Sequence, residues 1–145
     1  MKIRKSIVAA AAAAAVGTTG ALALPAVASA HSASTTLKFT AVAVNSKSFT
    51  KATLGRQETD VSSAGKTIGF DVAYGAFTGP KSGTVNAAFD IKGGLLYATV
   101  TTTNGGKTFG GTVTGGTGAF TGATGTVAAK TISSTKTAIT ITYST

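Results

Sequence analysis

Beyond the first thirty residues, no window of ten or more carries an apolar stripe of helical period. Runs rich in Thr, Val and Ala alternate instead with Gly, Ser, Asn and Pro, the pattern of short strands joined by tight turns. Thr36–Asn45 is the first expected strand, with Leu37, Phe39, Ala41, Ala43 and Asn45 on one face and Lys38, Thr40, Val42 and Val44 on the other. Further strands are expected at Gly55–Val61, Thr67–Ala73, Thr84–Ile91, Leu95–Thr103, Thr108–Thr114, Thr124–Ile132 and Thr137–Thr142. The turns between them include Ser62–Gly65, Gly79–Gly83, Lys92–Gly94 and the strong hairpin signal Asn104-Gly105-Gly106. Eight such strands predict an all-β fold, an antiparallel β-barrel or a two-sheet sandwich. The eight-stranded barrel is preferred because closure leaves no open edge.

The chain opens differently. Lys2, Arg4 and Lys5 precede an Ala-rich apolar stretch from Ile7 to about Ala23, Pro25 breaks it, and Ala28-Ser29-Ala30 has the small-x-small form of a cleavage site. Residues 1–30 read as a secretory signal peptide and 31–145 as a single domain, with no later segment apolar enough to span a membrane. Removal of the signal leaves ten basic against four acidic residues, a net charge of +6. The expected location is extracellular, with loose attraction to anionic polymers of the cell envelope.

Several function classes fall away on composition. There is no cysteine, so disulfide stapling, thiol catalysis and thiolate metal sites are absent. The single histidine, His31, stands at the expected new N-terminus, which argues against triads and imidazole metal centres. The basic residues are scattered singly and Arg56 is the one arginine after residue 30, so specific nucleic-acid recognition is not expected. Gly116-Thr117-Gly118 lacks the third glycine of a dinucleotide motif, because Thr121 stands there, and a strand rather than a helix is expected to follow. Gly65-Lys66-Thr67 and Gly106-Lys107-Thr108 lack the upstream glycine of a P-loop.

Arg56, Glu58 and Asp60 alternate along one strand and share a face. Turned inward, they are the best acid–base group the chain offers; turned outward, they form an exposed ion-pair row of small energetic consequence. Gln57, Thr59 and Val61 make no convincing core stripe on the other face, so the pattern leaves both open, and the outward row is the simpler expectation. Asp71 and Asp90 are expected at the surface near turns, and Asn45 at a barrel mouth or strand end. Tyr74, Tyr97 and Tyr143 read as core-edge or interface residues.

The pentapeptide GAFTG occurs at Gly75–Gly79 and again at Gly118–Gly122, each time ahead of a Gly-Thr-Val strand opening. Both copies are expected to be turns. The second lies in Val113-Thr114-Gly115-Gly116-Thr117-Gly118-Ala119-Phe120, followed by Gly122-Ala123 and Gly125. This run resembles the V-x-G-G-T-G-x-[FY]-x-G-A-x-G signature of the allene oxide cyclase-like and dirigent-like β-barrels. Thr59-Asp60-Val61, Ala64-Gly65-Lys66 and Ile68-Gly69 resemble the family's early strand–turn–strand.

The resemblance, to a secreted bacterial member, implies an eight-stranded barrel, commonly a homotrimer, with an apolar cavity open at one end. It implies activities such as isomerising or cyclising hydrophobic substrates, with the barrel as mould and without a cofactor or a metal. The plant cyclases' Glu-x-Asn aligns with Ala43-Val44-Asn45, where the carboxylate is missing, and their cavity cysteine has no counterpart. For the cavity aspartates and arginines of dirigent proteins, only Arg56 with Glu58 or Asp60 can stand in. The expected cavity polar residues are therefore Arg56, Glu58, Asp60 and Asn45. The expected function is binding of a small hydrophobic molecule, with or without steering of its cyclisation or isomerisation. The alternative is a non-catalytic extracellular or cell-surface module.

Overall fold

Each alternating run becomes a strand. A computed structural model describes residues 33–79, 82–103 and 106–145. In it, β1 (Thr35–Thr50), β2 (Thr53–Val61), β3 (Thr67–Gly79), β4 (Ser82–Ile91), β5 (Gly94–Thr103), β6 (Thr108–Gly116), β7 (Thr124–Ser133) and β8 (Lys136–Ser144) follow in chain order. The expected signal peptide lies outside the described residues, as do Pro80, Lys81, Asn104 and Gly105 of two expected turns. Every strand pairs antiparallel with its sequence neighbours, and β1 pairs with β8, from Thr35 opposite Tyr143 to Val42 opposite Lys136. The order closes into an eight-stranded barrel and excludes the sandwich. Closure gives every strand two partners, so this Thr-rich chain has no unpaired sheet edge.

Antiparallel order puts the β1–β2, β3–β4, β5–β6 and β7–β8 hairpins at one end and the other three connections at the opposite end. The second end is packed shut. Phe39, Ala41, Ile91, Leu96, Val113, Phe120, Ala123 and Ile141 are buried there as a continuous apolar core. A 3-10 turn, Gly118–Phe120, lies between β6 and β7. It docks on the β4–β5 hairpin: the Ala119 N–H donates to the Gly93 carbonyl at 2.8 Å, and the Leu95 N–H donates to Thr117 Oγ1 at 3.1 Å. Phe120 turns inward, with its ring edge-on to Tyr143 at 5.5 Å between centroids. Burial of such a ring contributes about 1.5–3 kcal/mol.

Only the second GAFTG copy is a turn. The first continues β3 as extended chain, with the Phe77 ring lying over Gly75, where an added Cβ would stand 2.7 Å from it. The flanks decide the difference. The second copy is entered through Gly115-Gly116 and has Gly118 at φ +59°, where an added Cβ would meet the Gly93 carbonyl oxygen. The first copy has β2 and β4 on either side to pair with.

β1 is also longer than expected. Its last residues, Ser46 to Thr50, pair with β2 alone, so the β1–β2 hairpin projects past the rim.

Candidate functional site

The lumen near the four-hairpin end is open. A cavity of about 360 Å³ lies there, walled mainly by apolar side chains that include Phe77, Val85, Phe89, Val100, Phe109 and Val127. This volume falls within the range of about 300–1,000 Å³ usual for small-molecule sites.

Alternation along β2 turns Arg56, Glu58 and Asp60 into the lumen, against the outward expectation. Their cross-strand partners on β3 are Ala73, Asp71 and Gly69. Paired residues share a face, so Asp71 enters the lumen beside Glu58. Asp71 is 2% exposed and Asp60 fully buried, which corrects the surface placement of Asp71. Asp90, in contrast, is exposed as expected. Gly69 makes room for Asp60: a Cβ there would approach Asp60 Oδ2 at 3.5 Å and collide with the Asp90 carbonyl.

The outward expectation failed because the polarity of β2 and β3 is inverted. The outer face carries Phe70, Val72 and Tyr74, at 55%, 61% and 45% exposure. The inner face carries Gly69, Asp71, Ala73 and Gly75. Small inward residues are what leave the cavity open, so a Gly/Ala face carrying one acid was the signal for a lumen wall.

Asn45 does not join the group. A β-bulge between Ala43 and Asn45 shifts the pairing by one residue, so Ala43 opposes Glu58 inside while Asn45 opposes Gln57. A one-residue slip moves a side chain to the other face, and both Asn45 and Gln57 are exposed. The four expected cavity residues thus resolve into two that line the cavity, Arg56 and Glu58, one that points inward but is buried outside its lining, Asp60, and one exterior, Asn45. The residue missed is Asp71.

The electrostatics follow from burial. Arg56 Nη1 stands 3.5 Å from Glu58 Oε1, and Arg56 Nη2 donates to the carbonyl of Ser134 in the β7–β8 hairpin. Desolvation raises the Glu58 pKa to about 7, with Asp71 adding to the rise and Arg56 opposing it. Asp60 is pushed up to about 6, chiefly by desolvation. Asp71 is pushed up to about 8, by desolvation first and then by Asp60. Glu58 Oε1 and all four oxygens of Asp60 and Asp71 are buried without a hydrogen-bond donor. Ionised, these groups would be acceptors facing acceptors; protonated, one carboxyl can donate to the next. Burial therefore favours the protonated forms of these three acids well above the usual carboxylate range, beside an apolar cavity. Among the described residues, no group of three or more His, Cys, Asp or Glu is disposed to hold a metal ion.

The described lysines are exposed and none lines the cavity. Among the described residues no helix is long and apolar enough to cross a membrane.

No family model matches the chain, and no curated protein matches it. Among solved structures, a pyocyanin demethylase is similar at a TM-score of 0.62 and 16% identity, over 76% of this chain and 100% of that one. At that identity the likeness shows a shared fold.

Proposed function

We propose that this protein is an exported barrel that binds a small hydrophobic molecule in its lumen and steers its cyclisation or isomerisation, as the allene oxide cyclase-like and dirigent-like barrels do. The observation that carries this reading is an open apolar lumen whose wall carries Glu58 and Asp71 as buried acids, with Asp60 fully buried and interacting with Asp71. A carboxyl group with a pKa near 7 serves as general acid and general base at neutral pH; Glu58 stands at about 7 and Asp71 at about 8. Apolar walls exclude water and hold the substrate in a reactive fold, while the acids move a proton between two of its atoms. Arg56 at the rim holds Glu58 on the Asp71 side of the lumen through the ion pair. Support of a coarser kind comes from the similar barrel, whose name makes a small molecule, pyocyanin, the object of its chemistry. The homotrimer that the family resemblance implies belongs to the same reading, with exposed Phe70, Val72 and Tyr74 as the face it covers.

Untargeted mass spectrometry of small molecules co-purified with the protein tests the binding step. An apolar molecule is expected with the wild-type protein and is expected to vanish in Ala129→Phe, where a second ring opposite Phe109 fills the lumen. A folded wild-type protein that retains no small molecule, and takes up no apolar dye, would sink the reading. The non-catalytic alternative is separated by turnover: at saturating ligand, Glu58→Gln and Asp71→Asn are expected to convert the bound molecule at least about a hundredfold more slowly.

A further inference from the structure

The polar atoms of the lumen are unevenly satisfied, and the pattern describes what is missing. On the cavity wall, the oxygens of Asp71, 2% exposed, have no donor other than a neighbouring carboxyl, and Asp60, fully buried and outside the cavity lining, pairs with Asp71 when one of the two is protonated. Glu58 Oε1, on the same wall, has none either. Nearer the mouth, Arg56 Nε is buried and has no acceptor. Buried polar atoms without partners cost free energy, so a molecule that partners them is bound by more than its apolar area. From the structure we infer the ligand's chemical class: an apolar body with a basic nitrogen at its leading end, seated against Asp71 and Glu58 of the cavity wall, and an oxygen acceptor trailing toward Arg56. A carboxylic acid entering head first is disfavoured, because its head would meet only acceptors and like charge. The inference rests on the reading of the lumen as a ligand cavity, and adds the polarity and direction of what enters it.

The charged and titratable groups that face Asp71 are Glu58, Asp60 and Arg56, all from β2. Arg56 is engaged with Glu58 and the Ser134 carbonyl, and its lowering effect on Asp71 is smaller than the opposing effects of desolvation and Asp60. Asp71, raised to about 8, holds a proton at neutral pH. An entering ammonium replaces that proton: Asp71 Oδ–H loses it to solvent, and the carboxylate then accepts an N–H from the ligand.

Three probes of one shape test this: 1-naphthylmethylamine, 1-naphthylmethanol and 1-naphthoate. The chain has no tryptophan, so naphthalene fluorescence is read without indole background. With the wild-type protein at pH 7, the amine is expected to bind about tenfold or more tightly than the alcohol, and the carboxylate most weakly. Calorimetry in two buffers of different ionisation enthalpy is expected to show proton release with the amine and none with the alcohol. In Asp71→Asn the amine-to-alcohol ratio is expected to fall to within about threefold of one, with Glu58→Gln as a second variant in case the first does not fold. Equal binding of amine and carboxylate, or a ratio unchanged in both variants, overturns the inference while leaving the lumen a ligand site. Failure of all three probes to bind a folded protein overturns the cavity reading and this inference together.

Discussion

Asp71 carries more of this molecule's chemistry than any other side chain, and its environment makes a stability prediction with a definite sign. Glu58, Asp60 and Asp71 have pKa values in the folded barrel of about 7, 6 and 8, above their ordinary values near 4. Between those limits the folded state binds more protons than the unfolded chain, so stability falls as pH rises. The protein is expected to be most stable near pH 4–5 and to lose stability progressively up to about pH 8, read as a falling melting temperature. Asp71→Asn and Glu58→Gln remove one ionisation each. Each is expected to flatten that profile and to stabilise the barrel at pH 8 by about 1–3 kcal/mol, because a buried charge no longer forms. A profile that stays flat from pH 5 to 8 would show that the three acids are solvated. Arg56→Met is expected to raise the Glu58 pKa further, since the guanidinium opposes the rise; carboxyl-carbon NMR titration reads this directly.

The two copies of GAFTG show how an element is chosen. The same five residues continue extended β3 at Gly75–Gly79, whereas the second copy opens with the 3-10 turn Gly118–Phe120, which ends in a buried ring. Local propensity is identical, so pairing partners and the glycines upstream make the choice. Gly118 sits at positive φ with the Gly93 carbonyl where its Cβ would be. Gly118→Ala is expected to cost about 1–3 kcal/mol in denaturant unfolding. Gly110 has open space where its Cβ would stand and no positive φ, so Gly110→Ala is expected to change stability by less than about 0.5 kcal/mol. The bulge in β1 is the other decisive element. It alone moves Asn45 from the inner to the outer face, which strict alternation from Leu37 would not do.

On the scale of the whole molecule, the inverted β2–β3 wall leaves apolar side chains outside. Phe49 and Tyr74 lie 6.3 Å apart between ring centroids on that exterior, beside exposed Phe70 and Val72. An apolar patch of this kind on the outside of a barrel marks a surface made to be covered. The proposed homotrimer covers it. Light scattering after size exclusion is expected to give a trimer mass for the wild-type protein and a monomer for Val72→Lys combined with Tyr74→Lys. A monomeric wild-type protein would remove the proposal.

The sequence by itself determined the strand count, the all-β class and the absence of thiol chemistry. These depend on local periodicity and on residue inventory, which need no tertiary information. It also marked the run from Val113 to Gly125 as a barrel device, and Phe120 does pack inward there. The sequence did not determine which face of β2 and β3 is the inside. Charged residues alternate with apolar ones, and the usual rule, apolar inward, points the wrong way for Phe70, Val72 and Tyr74. Only closure of the sheet settles it, because one concave face must take the small and acidic residues for a lumen to remain open. That same closure brings Asp71 opposite Glu58, and a single bulge sends Asn45 outside. Register is a property of paired strands, and no single strand carries it.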